Sequence, residues 1–177
     1  IRICLVGSEM CIRDRCLMTA QIANGGYKIY PKIVANDDNQ YADKFTPLYK
    51  KSRNIKIVQD AMFSSTNEVR GTSYRSRLDD PKYRFAGKTG TSQVKKITEL
   101  DRELDLKTFQ IPYEERDHAL YVAFGPYKSP RYALSIIIEH GGSGGTVAAP
   151  LAKKLFKMII DRHEIRKNYD NKKYLDI

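Results

Sequence analysis

Two apolar stretches are the clearest strand signals in the chain: HALYVAFGP at 118–126 and RYALSIIIEHG at 131–141. Both read as β-strands, and YKSP between them, with Pro126 and Pro130 at its borders, predicts a tight hairpin link. A third strand is expected over Phe85–Val94. Helical spacing appears elsewhere. Leu17, Ala20, Ile22 and Ala23 give an apolar face to a helix from Cys16 that Gly25-Gly26 stops. Ile55, Val58, Ala61 and Met62 mark a helix over Asn54–Phe63 that runs out near Asn67. Tyr27–Val34 alternates enough for a strand, at an edge because of Pro31, and Asn36–Gln40 is a polar turn. A charged excursion from Lys95 to Asp117 is assigned to the surface. After GGSGG the chain predicts a long amphipathic helix, capped by Thr146, with Val147, Leu151, Leu155, Met158 and Ile159 as its core-facing stripe. The last residues, from Lys167 to Ile177, are polar and expected to fray.

The order is helix, strand, helix, then three consecutive strands and a closing helix. Strands joined by short links make an antiparallel sheet, and the closing helix must cover one of its faces. The expected class is α/β of the α+β type, an antiparallel sheet flanked by helices.

The first fifteen residues, IRICLVGSEMCIRDR, show neither a cap nor a period. CLVGSEMCIRD resembles translated sequencing-adapter read-through at the end of an assembled gene fragment, so residues 1–15 are read as a non-native extension; an edge strand at Ile3–Val6 is the alternative. The expected organisation is therefore 1–15 as extension, 16–165 as part of one domain and 166–177 as a polar tail.

Composition narrows the picture a little. Hydrophobic residues make up 41% of the 177 and aromatic ones 10%, enough for a packed core. A formal net charge of +10 suits nucleic acid, a membrane surface or an anionic polymer, or simply a solvated basic surface. No basic stretch is interleaved with aromatics in the manner of RNA-binding motifs, so nucleic acid is not expected as a partner. No apolar run approaches the ~20 residues that span a bilayer, and no signal-peptide pattern opens the chain. Cys4, Cys11 and Cys16 lack a second ligand pair downstream, so neither a zinc site nor a disulfide framework is expected.

The most informative chemistry lies in RFAGKTGTSQV, residues 84–94. On an edge strand facing a cleft, Lys88 and Gly90 point one way, Thr89 and Thr91 the other. Gly90 lets a substrate backbone lie close, Lys88 supplies charge for a carboxylate, and the threonines supply directional hydrogen bonds. A twist or bulge would let Lys88 share a rim with Thr89 and Thr91. A backbone N–H beside the glycine offers half an oxyanion hole. The tripeptide alone is common enough to be an ordinary surface strand.

AGKTGTSQV followed by HALYVAFGP and a strand ending in EHGGSGG is more specific. From about Cys16 to about His163 the chain resembles the C-terminal part of the transpeptidase domain of penicillin-binding proteins, of the cell-elongation type 2. CLMTAQIANGG, DAMFSSTNEVRGTSYRSR and HALYVAFGPYKSPRYALSIIIEHGGSGGTVAAPLAKKLF carry the likeness beside the KTG run. The resemblance implies a partial penicillin-binding/serine β-lactamase-like fold. It implies a D,D-transpeptidase that cross-links peptidoglycan stem peptides through an acyl-serine, is acylated by β-lactams, and needs neither metal nor organic cofactor. It also implies a periplasmic domain anchored in the inner membrane and membrane-protein partners in the elongation machinery. In that family three motifs meet, S-x-x-K, S-x-N and K-[ST]-G. The third maps onto Lys88, Thr89 and Gly90 as catalytic positions, with Thr91 next to them giving an oxyanion N–H and a hydroxyl; Lys88, Thr89 and Thr91 would bind the substrate carboxylate.

Two other matches compete for the earlier motifs. Ser92-Gln93-Val94-Lys95 fits S-x-x-K and Ser65-Thr66-Asn67 fits S-x-N, but about one such S-x-x-K is expected by accident in a chain so rich in these residues. Ser92 lies on a strand, where positions three apart face opposite ways, whereas nucleophile and lysine need one helical face. Ser65 lies just before the KTG strand, far from the family's place for S-x-N. The nucleophile is therefore expected upstream of this chain, and the chain alone is expected to be inactive. GGSGG before the last helix suits an anion or a plain strand-to-helix turn, the turn being the simpler reading. His118 and His140 lack metal-ligand spacing and are read as hydrogen-bonded structural residues. The alternatives to a transpeptidase are a serine β-lactamase-like hydrolase of the same fold, against which the long charged excursion speaks, and a basic non-catalytic binding module.

Overall fold

The computed structural model describes residues 11–31, 46–49, 52–95 and 106–173, with side chains to 167. Three strands form one antiparallel sheet in the order β1 (Ala86–Ser92), β2 (His118–Gly125) and β3 (Tyr132–Ile138). The β1–β2 ladder runs without interruption from Ala86 opposite Phe124 to Ser92 opposite His118. β2 pairs with β3 from Ala119 opposite Ile138 to Gly125 opposite Tyr132. β2 is covered on both faces, which explains its near-continuous apolar sequence: six of its eight residues are buried. The hairpin between β2 and β3 is tight, with Arg131 N–H donating to Gly125 O at 3.1 Å, and the Gly125–Pro126 peptide is cis.

One sheet face carries Ala86, Phe124 and Val122 and is covered by α1 (Ile12–Ala23) and α2 (Ser52–Asn67). Met62 of α2 is the buried anchor there, with Ile22, Ala23 and Phe63 against it. Gln59 Nε2 donates to Ile22 O at 2.7 Å and ties α2 to the end of α1. Ile55 and Met62 of the expected α2 face are buried, but Val58 is 40% exposed and lines a groove between the two helices. α1 starts at Ile12, one turn earlier than the apolar pattern suggests, so it takes in residues assigned to the extension; Cys11 precedes it without a side-chain cap. Residues 1–10 lie outside the described ones, and with them Cys4 and the Ile3–Val6 alternative.

The other face carries Ala119, Tyr121 and Ala123 and is covered by α3 (Ala149–Lys173). Here four of the five residues of the expected stripe are wrong, Ile159 alone being half-buried. Ala148, Ala149, Ala152 and Phe156 are fully buried, and Ile160 nearly so, while Val147, Leu151, Leu155 and Met158 are 37–58% exposed. Tyr121, Phe85 and Phe156 already fill the space, with the two phenylalanine rings stacked at 4.9 Å. The helix backbone can then close on the sheet only through small alanines. Thr146 is not the cap. It lies inside a π-helical turn, Gly144–Ala148, that precedes α3, and its Oγ1 donates to Ser143 O at 3.4 Å. α3 also runs to Lys173, well into the stretch expected to fray.

Among the described residues 27–31 of the expected edge strand over Tyr27–Val34 there is one bridge, Tyr27 opposite Pro47. Residues 32–34 and the Asn36–Gln40 turn lie outside the described residues, as do 96–105 of the charged excursion. The rest of that excursion contains 3-10 turns at Thr108–Gln110 and Tyr113–Glu115.

Candidate functional site

The first part of β1 is held from α2. Asn67 Nδ2 donates to Phe85 O at 2.9 Å, and Thr66 Oγ1 donates to Gly87 O at 3.4 Å. The carbonyls of 85 and 87 therefore face away from β2. The period of two puts the main-chain groups of Thr89 and Thr91 on the same outer side. Thr91 N–H thus points to the edge opposite the one β2 occupies.

Lys88 is exposed, and its Nζ donates to Thr89 O at 2.8 Å and to Thr89 Oγ1 at 3.4 Å. No bulge brings these residues together. The ladder is regular, and the length of the lysine side chain lets it fold back across the edge to the threonine on the opposite face. Lys88 lines two clefts of ≈ 620 Å³ each. One runs along β1 with Arg15, Met18, Thr91 and Asp117 on its walls. The other is apolar and lies between α1 and α2, bounded by Met18, Ile22, Val58 and Met62. Gly90 lies over Leu120, where an added Cβ would stand 3.3 Å from Leu120 Cβ. Thr91 is exposed. Lys88, Thr89 and Thr91 thus share one open strand edge.

Behind this edge is a buried group of hydroxyls that sequence reading missed. Tyr121 Oη lies 3.0 Å from Thr66 Oγ1 and 2.9 Å from Ser73 Oγ, and Ser73 also donates to Ser65 O at 3.0 Å. Thr66, Ser73 and Tyr121 are each at most 1% exposed. Burial pushes the Tyr121 phenol up from its ordinary value, with the bonds to Ser73 and Thr66 acting the other way. The available signal was the run of Ser and Thr on either side of Gly71, just ahead of the KTG strand.

The two competing motif matches have other work. Lys95 Nζ pairs with Glu115 at 2.7 Å. Ser65 Oγ meets Thr72 Oγ1 at 3.2 Å, and Asn67 also donates to Phe63 O at 3.0 Å. In the GGSGG turn, Gly141 N–H donates to Ile138 O at 3.2 Å, Gly142 N–H to Asp117 O at 2.7 Å and Ser143 N–H to Gly141 O at 3.0 Å. His118 Nδ1 accepts from His140 N–H at 2.9 Å, and His140 Nδ1–H donates to Arg116 O at 3.1 Å, so both are hydrogen-bonded.

Residues 16–157 match the family described as penicillin binding protein transpeptidase domain. Over 154 residues the chain is 33% identical to peptidoglycan D,D-transpeptidase MrdA of Salmonella typhimurium (strain SL1344), covering 79% of this chain and 23% of that protein. The structure is similar to penicillin-binding protein 2 of Helicobacter pylori in its complex with MreC, with a TM-score of 0.65 and 26% identity over 82% of this chain and 24% of that one. It is similar also to Pseudomonas aeruginosa PBP2 in complex with WCK 5153, with a TM-score of 0.59 and 28% identity over 81% of this chain and 29% of that one. The chain thus spans about a quarter of the length of these relatives. The three-stranded sheet and helices of this chain are an α+β portion of the penicillin-binding fold. The chain belongs to the penicillin-binding protein transpeptidase domain family, as a stretch of a PBP2-type domain.

Proposed function

We propose that Lys88, Thr89, Gly90 and Thr91 are the K-[ST]-G edge of a peptidoglycan D,D-transpeptidase whose nucleophilic serine is supplied from outside this chain. The observation that carries this reading is the open edge of β1, where the Lys88 ammonium sits 2.8 Å from Thr89 O and 3.4 Å from Thr89 Oγ1, beside an exposed Thr91. An ammonium and two hydroxyls there suit the terminal carboxylate of a stem peptide. The outward Thr91 N–H suits the oxyanion that forms when the serine oxygen attacks the penultimate D-alanine carbonyl. Collapse of that intermediate breaks the C–N bond, terminal D-alanine leaves as the protonated amine, and the acyl group stays on the serine. The amine of a neighbouring stem peptide then attacks the ester, forms the cross-link and returns the serine. β-Lactams enter by the same acylation. Because the relatives named above are transpeptidases, this reading is favoured over a β-lactamase-like hydrolase and over a basic binding module.

The working enzyme would act in the periplasm on an inner-membrane anchor, with membrane proteins of the elongation machinery as partners. The H. pylori relative was solved with MreC, in keeping with such an assembly. Among the described residues no helix is long and apolar enough to cross a membrane.

The test is labelling by a fluorescent penicillin, read by mass spectrometry. This chain alone should take no label, because Lys88, Thr89 and Thr91 lack an activated hydroxyl. The complete parent should be labelled, and Lys88→Ala should weaken labelling. An acyl adduct on Ser92 or Ser65 would overturn the placement of the nucleophile. Undiminished labelling of the Lys88→Ala parent would overturn the role of the edge.

A further inference from the structure

We propose that Thr72 is a positioning residue that fixes the Thr89 hydroxyl as a hydrogen-bond donor toward an anionic ligand. The inference takes from the transpeptidase reading only what Thr89 does for a substrate; the direction of its hydroxyl is argued from the geometry, with Ser65 as donor to Thr72.

Thr72 Oγ1 lies 3.2 Å from Thr89 Oγ1 and 3.2 Å from Ser65 Oγ. Lys88 Nζ lies 3.4 Å from the same Thr89 oxygen. A hydroxyl has one hydrogen and two acceptor lone pairs, while an ammonium can only donate. Thr89 must therefore accept from Lys88. If Ser65 donates to Thr72, the Thr72 hydrogen is directed at Thr89, and both lone pairs of Thr89 are filled. Its single remaining capacity is to donate. The row Ser65, Thr72, Thr89 then runs in one sense and ends in an O–H aimed outward, each bond polarising the next. Such a group welcomes a carboxylate and rejects a ligand that offers a donor in the same place.

Thr72 is held in place from two sides. Its carbonyl oxygen lies against Gly145 of the turn before α3, where an added Cβ would stand 2.6 Å from it. The next residue, Ser73, is pinned by Tyr121 Oη at 2.9 Å and by its own N–H donating to Ser65 O at 3.0 Å. The Thr72 side chain is itself exposed, so packing does not account for where its hydroxyl sits. That also makes substitution clean. Thr72→Val keeps the shape and removes the hydroxyl, and Thr72→Ser keeps the hydroxyl.

The experiment uses this whole chain, isotope-labelled, in solution. Three-bond couplings from N and C′ to Cγ2 of Thr89 report its χ1 rotamer. A single rotamer is expected in the parent chain and in Thr72→Ser, and rotamer averaging in Thr72→Val and Thr72→Ala, with amide spectra showing that all four are folded. A single Thr89 rotamer in folded Thr72→Val and Thr72→Ala overturns the proposal. A second arm titrates diacetyl-L-lysyl-D-alanyl-D-alanine and its C-terminal amide. Thr72→Val should weaken the carboxylate form about fivefold, the value of one ordinary hydrogen bond, and leave the amide form unchanged; Thr72→Ser should bind like the parent. Equal weakening of both forms also overturns it. If the parent chain and Lys88→Ala bind the carboxylate form equally, the carboxylate reading of the edge fails, while the rotamers still decide the role of Thr72.

Discussion

Gly87 of β1 lies directly against Tyr121 of β2: a Cβ at position 87 would stand 2.3 Å from Tyr121 Oη. The two are diagonal neighbours on the α3 face of the sheet, and the missing side chain is what lets the phenol pass β1 and reach Thr66 and Ser73. Gly87→Ala should therefore cost more than about 2 kcal/mol, because the buried phenol must move and give up its bonds to Thr66 and Ser73. Urea unfolding of the variant checks this. A parent-like midpoint would show that the ring relaxes freely.

The buried face of α3 is tested by a pair of truncations. Phe156→Ala should cost about 3–5 kcal/mol, since the ring is fully buried and stacked on Phe85. Leu155→Ala, at a residue 40% exposed, should stay within about 1 kcal/mol of the parent chain. The stripe read from the sequence demands the opposite order.

Lys88→Ala should leave the stability of this chain within about 0.5 kcal/mol of the parent, because the exposed ammonium bonds only to its neighbour Thr89 among the contacts described above. A large loss in a thermal melt would make the lysine part of the scaffold and remove the contrast with its expected effect on penicillin labelling.

Alkaline pH should destabilise the fold through tyrosines. Burial holds the Tyr121 phenol above its ordinary value, burial acts on Tyr127, and the hydrogen bond to Asp161 acts on Tyr83, all three upward. A folded-state value above the unfolded one means a contribution fully present below about pH 10 and lost as pH rises through the folded value. Urea midpoints measured from about pH 8 to about pH 11 should fall, and fall less steeply in Tyr121→Phe. A slope unchanged by that substitution would place the effect elsewhere.

The sheet was legible because its signal is local. HALYVAFG and YALSIII are strongly apolar, and the short link between them leaves few ways to pair. The KTGT run declared itself by residue type, and the structure places it on an outer strand. The helix face failed because hydropathy favours large side chains. The contact here is made by Ala148, Ala149 and Ala152, which matter for being small, and only Phe156 and Ile160 are bulky. Of the two devices considered, a twist or a bulge, the regular ladder shows no bulge, and lysine reach brings the ammonium to Thr89. The Thr66–Ser73–Tyr121 group was invisible because Thr66 reads as a fraying helix end and Ser73 as part of a loop after Gly71, and only the tertiary fold shows a phenol arriving from β2 between them.

An outer strand is also a hazard, since its unpaired main chain is a template for another molecule's strand. β1 meets that hazard one residue pair at a time. A foreign strand approaching it finds Asn67 on the carbonyl of Phe85, Thr66 on that of Gly87 and the Lys88 ammonium on that of Thr89. The lysine that would greet a ligand's charge thus also occupies a carbonyl that a foreign strand would need. Loss of that side chain would remove both at once, leaving Thr89 O without this donor.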